Sequence, residues 1–411
     1  MELNAIYRRV VAIDVHQAKL TACALYENEN GEVINEIKEF GGFKRDRIAM
    51  SEWVASFRPE CVLMESTGIY WKSPYAALEK QGLKIIVVNA RHIKQVPGRK
   101  TDIADAQWLA VLARNGLCRA SFVPKVQFRE LRLISRYAQR LTGLLAGQKN
   151  RLHKVLSDAG IRLSVVVSDL NGKAAQAMIK GLLDGETPAQ LLRHAKLLKA
   201  PKDDIEEALS GDLSASHRFV ITEIMDTIAR LETSIAKCRQ ALQQGLAEYQ
   251  SILLNLQTIP GIDETAAAAL LVEIGDDMAV FGSPKRLASW AGVCPGNHES
   301  AGKRQSGKTR KGNYYLRRIL CEIANSISRT RCSLRDKFKG LVARRGRKRA
   351  IFAIAHKVLK IVFLLIKKNE CYRPPNQNYE ALAVRRNAPR WIKLLKQQGF
   401  VVKKAEQPAQ T

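Results

Sequence analysis

Negative charge is what this chain has least of. Across 411 residues, 39 Asp and Glu stand against 67 Lys and Arg, a formal net charge of +28. So large an excess points to a polyanionic partner, most simply nucleic acid. Cysteine is sparse: eight are scattered with no C-x-x-C pair, which excludes a disulfide framework or a zinc site and leaves reduced cytoplasmic thiols as the expectation. Long apolar runs are missing too. The most apolar late stretch, Ile351–Ile366, carries His356, Lys357 and Lys360 and falls short of the roughly 20 apolar residues of a membrane span. Glu2, Asn4, Arg8 and Arg9 break any leader-like run. Hydrophobic residues nevertheless make up 46% of the chain, so wholesale disorder is excluded. The expectation is a soluble cytoplasmic protein without a membrane partner.

The first third alternates strand and helix patterns, which implies a mixed α/β sheet. A strand through VVAIDV is followed by a second, a turn at Asn28–Gly31 and a third strand. CVLME (61–65) and KIIVVNA (84–90) read as buried strands, and residues 46–57, 70–81 and 101–116 as helices, Thr101 serving as an N-cap. A long basic helical stretch runs from Phe128 to about Asp158. The middle carries a heptad pattern at Ile221, Ile224, Ile228, Leu231, Ile235, Cys238 and Leu242. It suits a dimer-forming coiled coil, or a helix packed on its own domain. TIPGIDETAAAALLVEIG has the pattern of a helix-hairpin-helix, or of an ordinary pair of helices joined at Pro260-Gly261. From Ala301 to Ala350 there are 17 Lys and Arg against two acids, Glu322 and Asp336, a one-sidedness that favours phosphate contact. A short helix at Pro389–Gln397 and a disordered end are expected in the tail.

In a chain so basic, acids beside apolar strands are informative. Asp14 lies inside a strand, Glu65 closes another, and Asp102 and Asp105 lie three apart on one helix. Four carboxylates brought together repel each other unless divalent cations sit between them, and their oxygens suit Mg²⁺ or Mn²⁺. Taken singly, each has a plainer reading: Asp102 as a first-turn helix acid, Asp105 as a solvated residue, Glu65 as a cap. Asp14 is the hardest to dismiss, because an isolated acid inside VVAIDV is costly to bury.

Four segments together carry a resemblance. They are AIDVHQAKL with Asp14, MESTGIYWKSPYAAL with Glu65, KTDIADAQWLA with Asp102 and Asp105, and the Pro-Gly-Ile turn followed by AGVCPGNHESAGKRQSGKTRKGNYYLRR. In this order they resemble the DEDD-type insertion-sequence transposases with a RuvC-like domain, the group described as bridge-RNA-guided recombinases, over about residues 8–165 and 255–345. The resemblance implies an RNase H-like fold at residues 1–160, a helical and coiled-coil region at 161–255, a mainly α C-terminal transposase domain at 256–370 and a tail at 371–411. It implies that Asp14, Glu65, Asp102 and Asp105 form the acidic tetrad that holds Mg²⁺ or Mn²⁺. A nucleophilic serine falls on Ser300, although the Ser-Gly usual there is here Ser300-Ala301-Gly302, which makes Ser306-Gly307 a rival. Lys303, Arg304, Lys308, Arg310, Lys311, Arg317 and Arg318 would bind nucleic acid. The implied partners are the DNA of element ends and target, an element-encoded guide RNA, and further copies of the chain as a dimer or tetramer. A Holliday-junction resolvase using only the acids, and a non-enzymatic nucleic-acid-binding regulator, are the alternatives.

Overall fold

The computed structural model describes residues 5–66, 68–89, 102–296, 298–300, 302–307, 309, 311–374 and 379–403. The chain divides into two compact units, Met1–Val123 and Pro124–Thr411.

The first unit is built on a five-stranded sheet: β1 (Arg9–Val15), β2 (Lys19–Glu27), β3 (Val33–Gly41), β4 (Cys61–Glu65) and β5 (Ile85–Val88), in the order β3-β2-β1-β4-β5. β1, β2 and β3 pair antiparallel, whereas β4 and β5 run parallel to β1. This is the mixed arrangement of an RNase H-like sheet. The β2–β3 turn is held by the Asn28 Oδ1, which accepts from the Asn30 and Glu32 amides at 3.0 and 2.8 Å, with Gly31 at φ 79°. Alternation along the strands sends residues to two faces. Val11, Ile13, Val62 and Met64 pack with Met50, Val54 and Leu78, which belong to helices α1 (Lys44–Ser56) and α2 (Lys72–Lys80). Val10, Ala12, Cys61 and Leu63 pack with Ala106, Leu109, Ala110 and Ala113 of α3 (Asp102–Arg114). The Ile6 and Tyr7 amides, just before β1, donate to the Arg114 carbonyl at 2.9 and 3.1 Å. The C-terminal end of α3 therefore sits where β1 begins, and its N-terminal end sits where β1 finishes.

The second unit begins with α4 (Val126–Asp158), followed by α5 (Lys173–Leu183), α6 (Lys202–Leu209) and α7 (Ala215–Gly245). The long basic helix packs with the helices of this unit. It runs antiparallel to α7. Lys149 Nζ meets Glu232 Oε1 at 3.0 Å, and His217 Nε2 meets Asp158 Oδ2 at 3.1 Å. A Cβ on Gly245 would strike Leu131 Cδ2 at 2.4 Å. Ile221, Ile224, Ile228, Ile235 and Leu242 are buried, the first three in one core with Leu152, Leu156, Met178 and Ile179. The heptad seam is thus filled by the chain's own helix α4. Of the two readings of the heptad, the packing seen within the chain is that of a helix on its own unit.

Beyond it come α8 (Gln250–Gln257) and α9 (Glu264–Ile274), joined by the Pro260-Gly261 turn. Asp263 Oδ1 caps α9 by accepting from the Ala266 amide at 2.7 Å. Gly261, at φ 83°, lies so close to the next helix layer that a Cβ would meet Ile327 Cγ1 at 3.0 Å and the Ile323 carbonyl at 3.2 Å. Then follow α10 (Pro284–Trp290), a small hairpin of β6 (His298–Ser300) and β7 (Lys303–Ser306), α11 (Tyr314–Ile327), α12 (Ser333–Arg345), α13 (Arg347–Lys368) and α14 (Tyr379–Gln397). Helix α13 holds the apolar run Ile351–Ile366, whose residues Ile354, Ala355, Val358, Leu359 and Val362 are fully buried. Among the described residues no helix is long and apolar enough to cross a membrane. α14 begins ten residues before the expected Pro389 and includes it.

Candidate active site

The sheet register places two of the four acids. Ile13 pairs with Met64 across the parallel β1–β4 ladder, so one step further Asp14 stands beside Glu65 at the C-terminal ends of both strands. By alternation both belong to the face covered by α3, and α3 begins at that same end with Asp102. Asp14 is buried, 6% exposed; Glu65 is half-buried and Asp105 exposed. The side chain of Asp102, like residues Lys100 and Thr101, lies outside the described residues. Among the described residues no three His, Cys, Asp or Glu gather closely enough to hold a metal ion. The fold thus brings Asp14 and Glu65 together and sets Asp105 in the first turn of the helix above them.

Two neighbours escaped the sequence reading. His16 Nε2 lies 3.1 Å from Asp14 Oδ2. Thr21 opposes Asp14 in the β1–β2 ladder, fully buried, and its Oγ1 has no hydrogen-bond partner among the described residues. An orphaned buried hydroxyl against a buried carboxylate marks a place where polar matter is wanted. His16 sits one residue past the β1 strand pattern, where only the register would have shown it. The segments leaving the two acid-bearing strands are tied together where Tyr70 Oη donates to Gln17 Oε1 at 3.1 Å, and the exit of β4 is tied to β5 where the Ser66 amide donates to the Val88 carbonyl at 2.9 Å. The thiols of Cys23 and Cys61, on the same face of the sheet, are pushed up by burial to about 12 and about 11, so neither is a nucleophile at neutral pH.

The second unit carries the serines. Ser300 pairs with Lys303 next to the turn that includes Gly302, whereas Ser306 pairs with His298 at the open end of the hairpin. The structure therefore separates the rivals: Ser300 is at the tip and Ser306 at the base. Lys303 and Arg304 lie on β7; Lys308 and Arg310 lie outside the described residues. Lys311 is exposed. Arg317 Nη2 donates to Thr309 Oγ1 at 3.4 Å, and Arg318 Nε to Glu322 Oε1 at 2.9 Å.

The hairpin is followed by a buried ionic knot that the sequence reading missed. Glu273, at the end of α9, is 0% exposed. Arg136 reaches it with Nε and Nη2 at 2.8 and 2.9 Å, Arg132 Nε at 3.5 Å, and Asn313 Nδ2 at 2.7 Å. Asn313 also caps α11, accepting from the Leu316 amide at 3.1 Å. Burial pushes the Glu273 carboxyl up, but the Arg136 hydrogen bond, the two guanidinium charges and Asn313 outweigh it and hold it below the usual range. Helices α4, α9 and α11 are thereby locked together immediately after the serine hairpin. The only sequence signal was a single Glu in the apolar ALLVEIG.

An RNase H-like sheet with carboxylates at its strand ends, joined to a strongly cationic helical unit, defines a protein that works on the backbone of nucleic acid. Residues 11–161 match the transposase family described as DEDD_Tnp_IS110, and residues 254–339 match the transposase family IS116/IS110/IS902. The two matches cover more than half of the chain, in the expected order, and the chain belongs to this family of insertion-sequence transposases. It is 25% identical over 336 residues to a probable family 20 transposase of Pseudomonas aeruginosa, covering 80% of this chain and 90% of that one. It is 23% identical to the transposase for insertion sequence element IS1111A of Coxiella burnetii, over 89% and 91% of the two chains. The structure of Thermus thermophilus RuvC covers 28% of this chain and 99% of its own at 16% identity and a TM-score of 0.22, a likeness too slight to carry argument.

Proposed function

We propose that this transposase excises and inserts its own element by transient covalent attachment to DNA, with Ser300 as nucleophile and Asp14, Glu65, Asp102 and Asp105 holding divalent cations, Mg²⁺ or Mn²⁺. The observation that carries the reading is the juxtaposition of Asp14 and Glu65 at the strand ends beneath the start of α3. An all-oxygen donor set suits these hard cations, and the orphaned Thr21 hydroxyl beside Asp14 fits a hydrated ion better than an apolar neighbour. When bound, such cations supply charge neutralisation at a scissile phosphate.

The chain's own residues do the rest. Asp14, rigid in its strand, fixes one edge of the site, and His16 keeps its carboxylate turned to one side. Ser300 Oγ attacks the phosphorus: an O–P bond forms, the bond to a deoxyribose oxygen breaks, and that oxygen takes up a proton as the serine loses its own. The phosphoserine link conserves the bond for rejoining, when a deoxyribose hydroxyl attacks and the serine is reprotonated. A serine hydroxyl needs such activation, being a poor nucleophile alone. That the serine of one copy completes the acidic site of another, in a dimer or tetramer, rests on the family resemblance. Targeting by an element-encoded RNA, in the cytoplasm, rests on the family resemblance.

The test is a denaturing gel of the full chain with labelled element-end DNA, Mg²⁺ and the transcribed flanking RNA. A protein–DNA adduct is expected for wild type and for Ser306→Ala, and none for Ser300→Ala. An adduct that persists in Ser300→Ala overturns the residue assignment, and cleavage by wild type without any adduct favours a metal-only nuclease.

A further inference from the structure

The serine hairpin stands on two feet. The leading foot closes α10: Gly292, at φ 72°, donates its amide to the Ser289 carbonyl at 3.1 Å, and the Val293 amide donates to the Ala288 carbonyl at 3.2 Å. Ala291 and Val293 are 0% and 2% exposed, so this foot is fixed in the core. The trailing foot is Gly312-Asn313, which opens α11, a helix buried through Leu316, Ile319, Leu320 and Ile323. The two feet touch. A Cβ on Gly312 would stand 2.4 Å from the carbonyl carbon and oxygen of Ala291 and from the Gly292 nitrogen, backbone atoms that cannot swing aside as a side chain would.

Asn313 then ties the touching feet to the ionic knot. Its Oδ1 accepts from the Leu316 amide at 3.1 Å, which is all that an N-cap requires, and Ser, Thr or Asp would cap as well. What Asn adds is a donor: its Nδ2 reaches Glu273 Oε2 at 2.7 Å. Glu273 does not need that donor to balance its charge, because Arg136 already meets it with two nitrogens and Arg132 approaches at 3.5 Å. The extra bond instead fixes the direction in which the chain enters α11. One turn into that helix, Arg317 reaches back to Thr309 at 3.4 Å and so holds the segment that follows β7. A segment of about 20 residues, from Gly292 to Gly312, samples many arrangements when its ends are loose. Fastened to a buried ion pair, it presents its serine in few, and a misplacement of about 1 Å at a reacting group can cost about a hundredfold in rate.

We propose that Gly312 and Asn313 are positioning residues for the serine nucleophile: they clamp the two feet of the hairpin together and fasten them to Glu273, so that the hairpin is aimed before DNA arrives. They act through the backbone of the hairpin and not on the phosphate itself. This rests on the reading that a serine of the hairpin attacks DNA, but not on which serine does so.

The test uses the full chain. Gly312→Ala wedges the feet apart, and Asn313→Ser keeps the cap but is too short to reach Glu273. The control is Gly340→Ala on α12, where a Cβ meets nothing within 4 Å. Thermal unfolding and affinity for labelled element-end DNA are measured beside the single-turnover rate and amplitude of adduct formation, at saturating DNA with Mg²⁺ and the transcribed flanking RNA. The rate should fall about a hundredfold in Gly312→Ala and about tenfold in Asn313→Ser, with amplitude and DNA affinity within about twofold of wild type. The control should match wild type throughout. Amide hydrogen exchange over β6 and β7 in the DNA-free protein should quicken in both clamp variants. A drop in amplitude at an unchanged rate means that only the folded fraction has fallen, and overturns the proposal. A wild-type rate in a folded Asn313→Ser overturns it too. If wild type forms no adduct, the serine reading fails and the positioning role with it, while quicker exchange in the variants would still show that the clamp holds the hairpin.

Discussion

Each unit holds a buried acid, and the two are treated in opposite ways. Glu273 is closed in by two arginines and an asparagine, and its charge is consumed in holding α4, α9 and α11 together. Asp14 is almost as deeply placed, but at the open end of a strand, beside a second carboxylate and an unsatisfied hydroxyl. Burial alone therefore does not tell a structural acid from one proposed to act on DNA. What differs is the company: two guanidinium groups and an amide surround the first, while the second has the His16 Nε2 at 3.1 Å and stands beside Glu65 in the strand register. A buried ion pair loses stability when one partner is removed; a carboxylate set kept for cations gains little stability from its charge and can lose it without unfolding.

The largest expected effect on function comes from breaking the comparison at Asp14. Asp14→Asn keeps size and shape but weakens the donor set. DNA cleavage should fall on the order of a thousandfold or more, the scale of removing a member of a catalytic constellation, while the denaturation midpoint holds or rises. Cleavage assays beside urea unfolding measure both. Normal cleavage in Mg²⁺ would remove Asp14 from the site.

The largest expected effect on structure comes from the α4–α7 seam. Ile228→Lys/Ile235→Lys puts two ammonium groups where the isoleucines are 7% and 6% exposed, at several kcal/mol if they stay buried. Circular dichroism should show loss of helix in the second unit. If instead light scattering shows a smaller assembly with helix content intact, the seam pairs between copies. Here the sequence was legible only halfway. The 3-4 spacing of Ile221–Leu242 specified an apolar stripe, but an identical stripe serves a partner helix in the same chain or in another, and α4 masked its own stripe among arginines. The acids of the sheet were easier to find, because strand alternation and helix start signals are local and an acid at either is conspicuous in a basic chain. His16, Thr21 and Glu273 were not legible. His16 and Thr21 gain their importance from Asp14, two and seven positions away but reached only through the turn and the β1–β2 ladder, and Glu273 gains its own from Arg136 across 137 positions.

Glu273→Gln sharpens the contrast from the structural side. It leaves Arg132 and Arg136 facing a neutral group in a buried place, and the second unit should lose about 3–5 kcal/mol. The pH dependence follows from the sign of the shift. Because folding lowers the Glu273 carboxyl, its stabilisation is present above the unfolded-state value of 4.5 and fades as the pH drops through the lower folded-state value. Wild type should therefore lose stability in acid below about pH 4.5, and Glu273→Gln should lack that portion of the loss. Unfolding free energies from urea titrations between pH 3 and 7 decide it, and parallel curves for the two proteins would mean that the knot is not what links those helices.

The smallest effect tests the edge of the acidic end. Tyr70 lies in the segment that leaves β4 after Glu65, and Gln17 in the turn that leaves β1 after Asp14; their 3.1 Å hydrogen bond joins the two exits. A neutral hydrogen bond of this kind contributes about 0.5–1.5 kcal/mol, and less where water competes. Tyr70→Phe removes the hydroxyl and leaves the ring, which is 39% exposed, so the fold should be unaffected. If the bond keeps the two strand ends in working alignment, the single-turnover cleavage rate should fall about two- to tenfold, with DNA affinity unchanged. Gln17→Ala should give a similar drop. The double change should be no worse than either alone, since both remove one interaction. Drops that multiply in the double would show that the two residues act separately, and the alignment of Asp14 with Glu65 would then rest on the β1–β4 register itself.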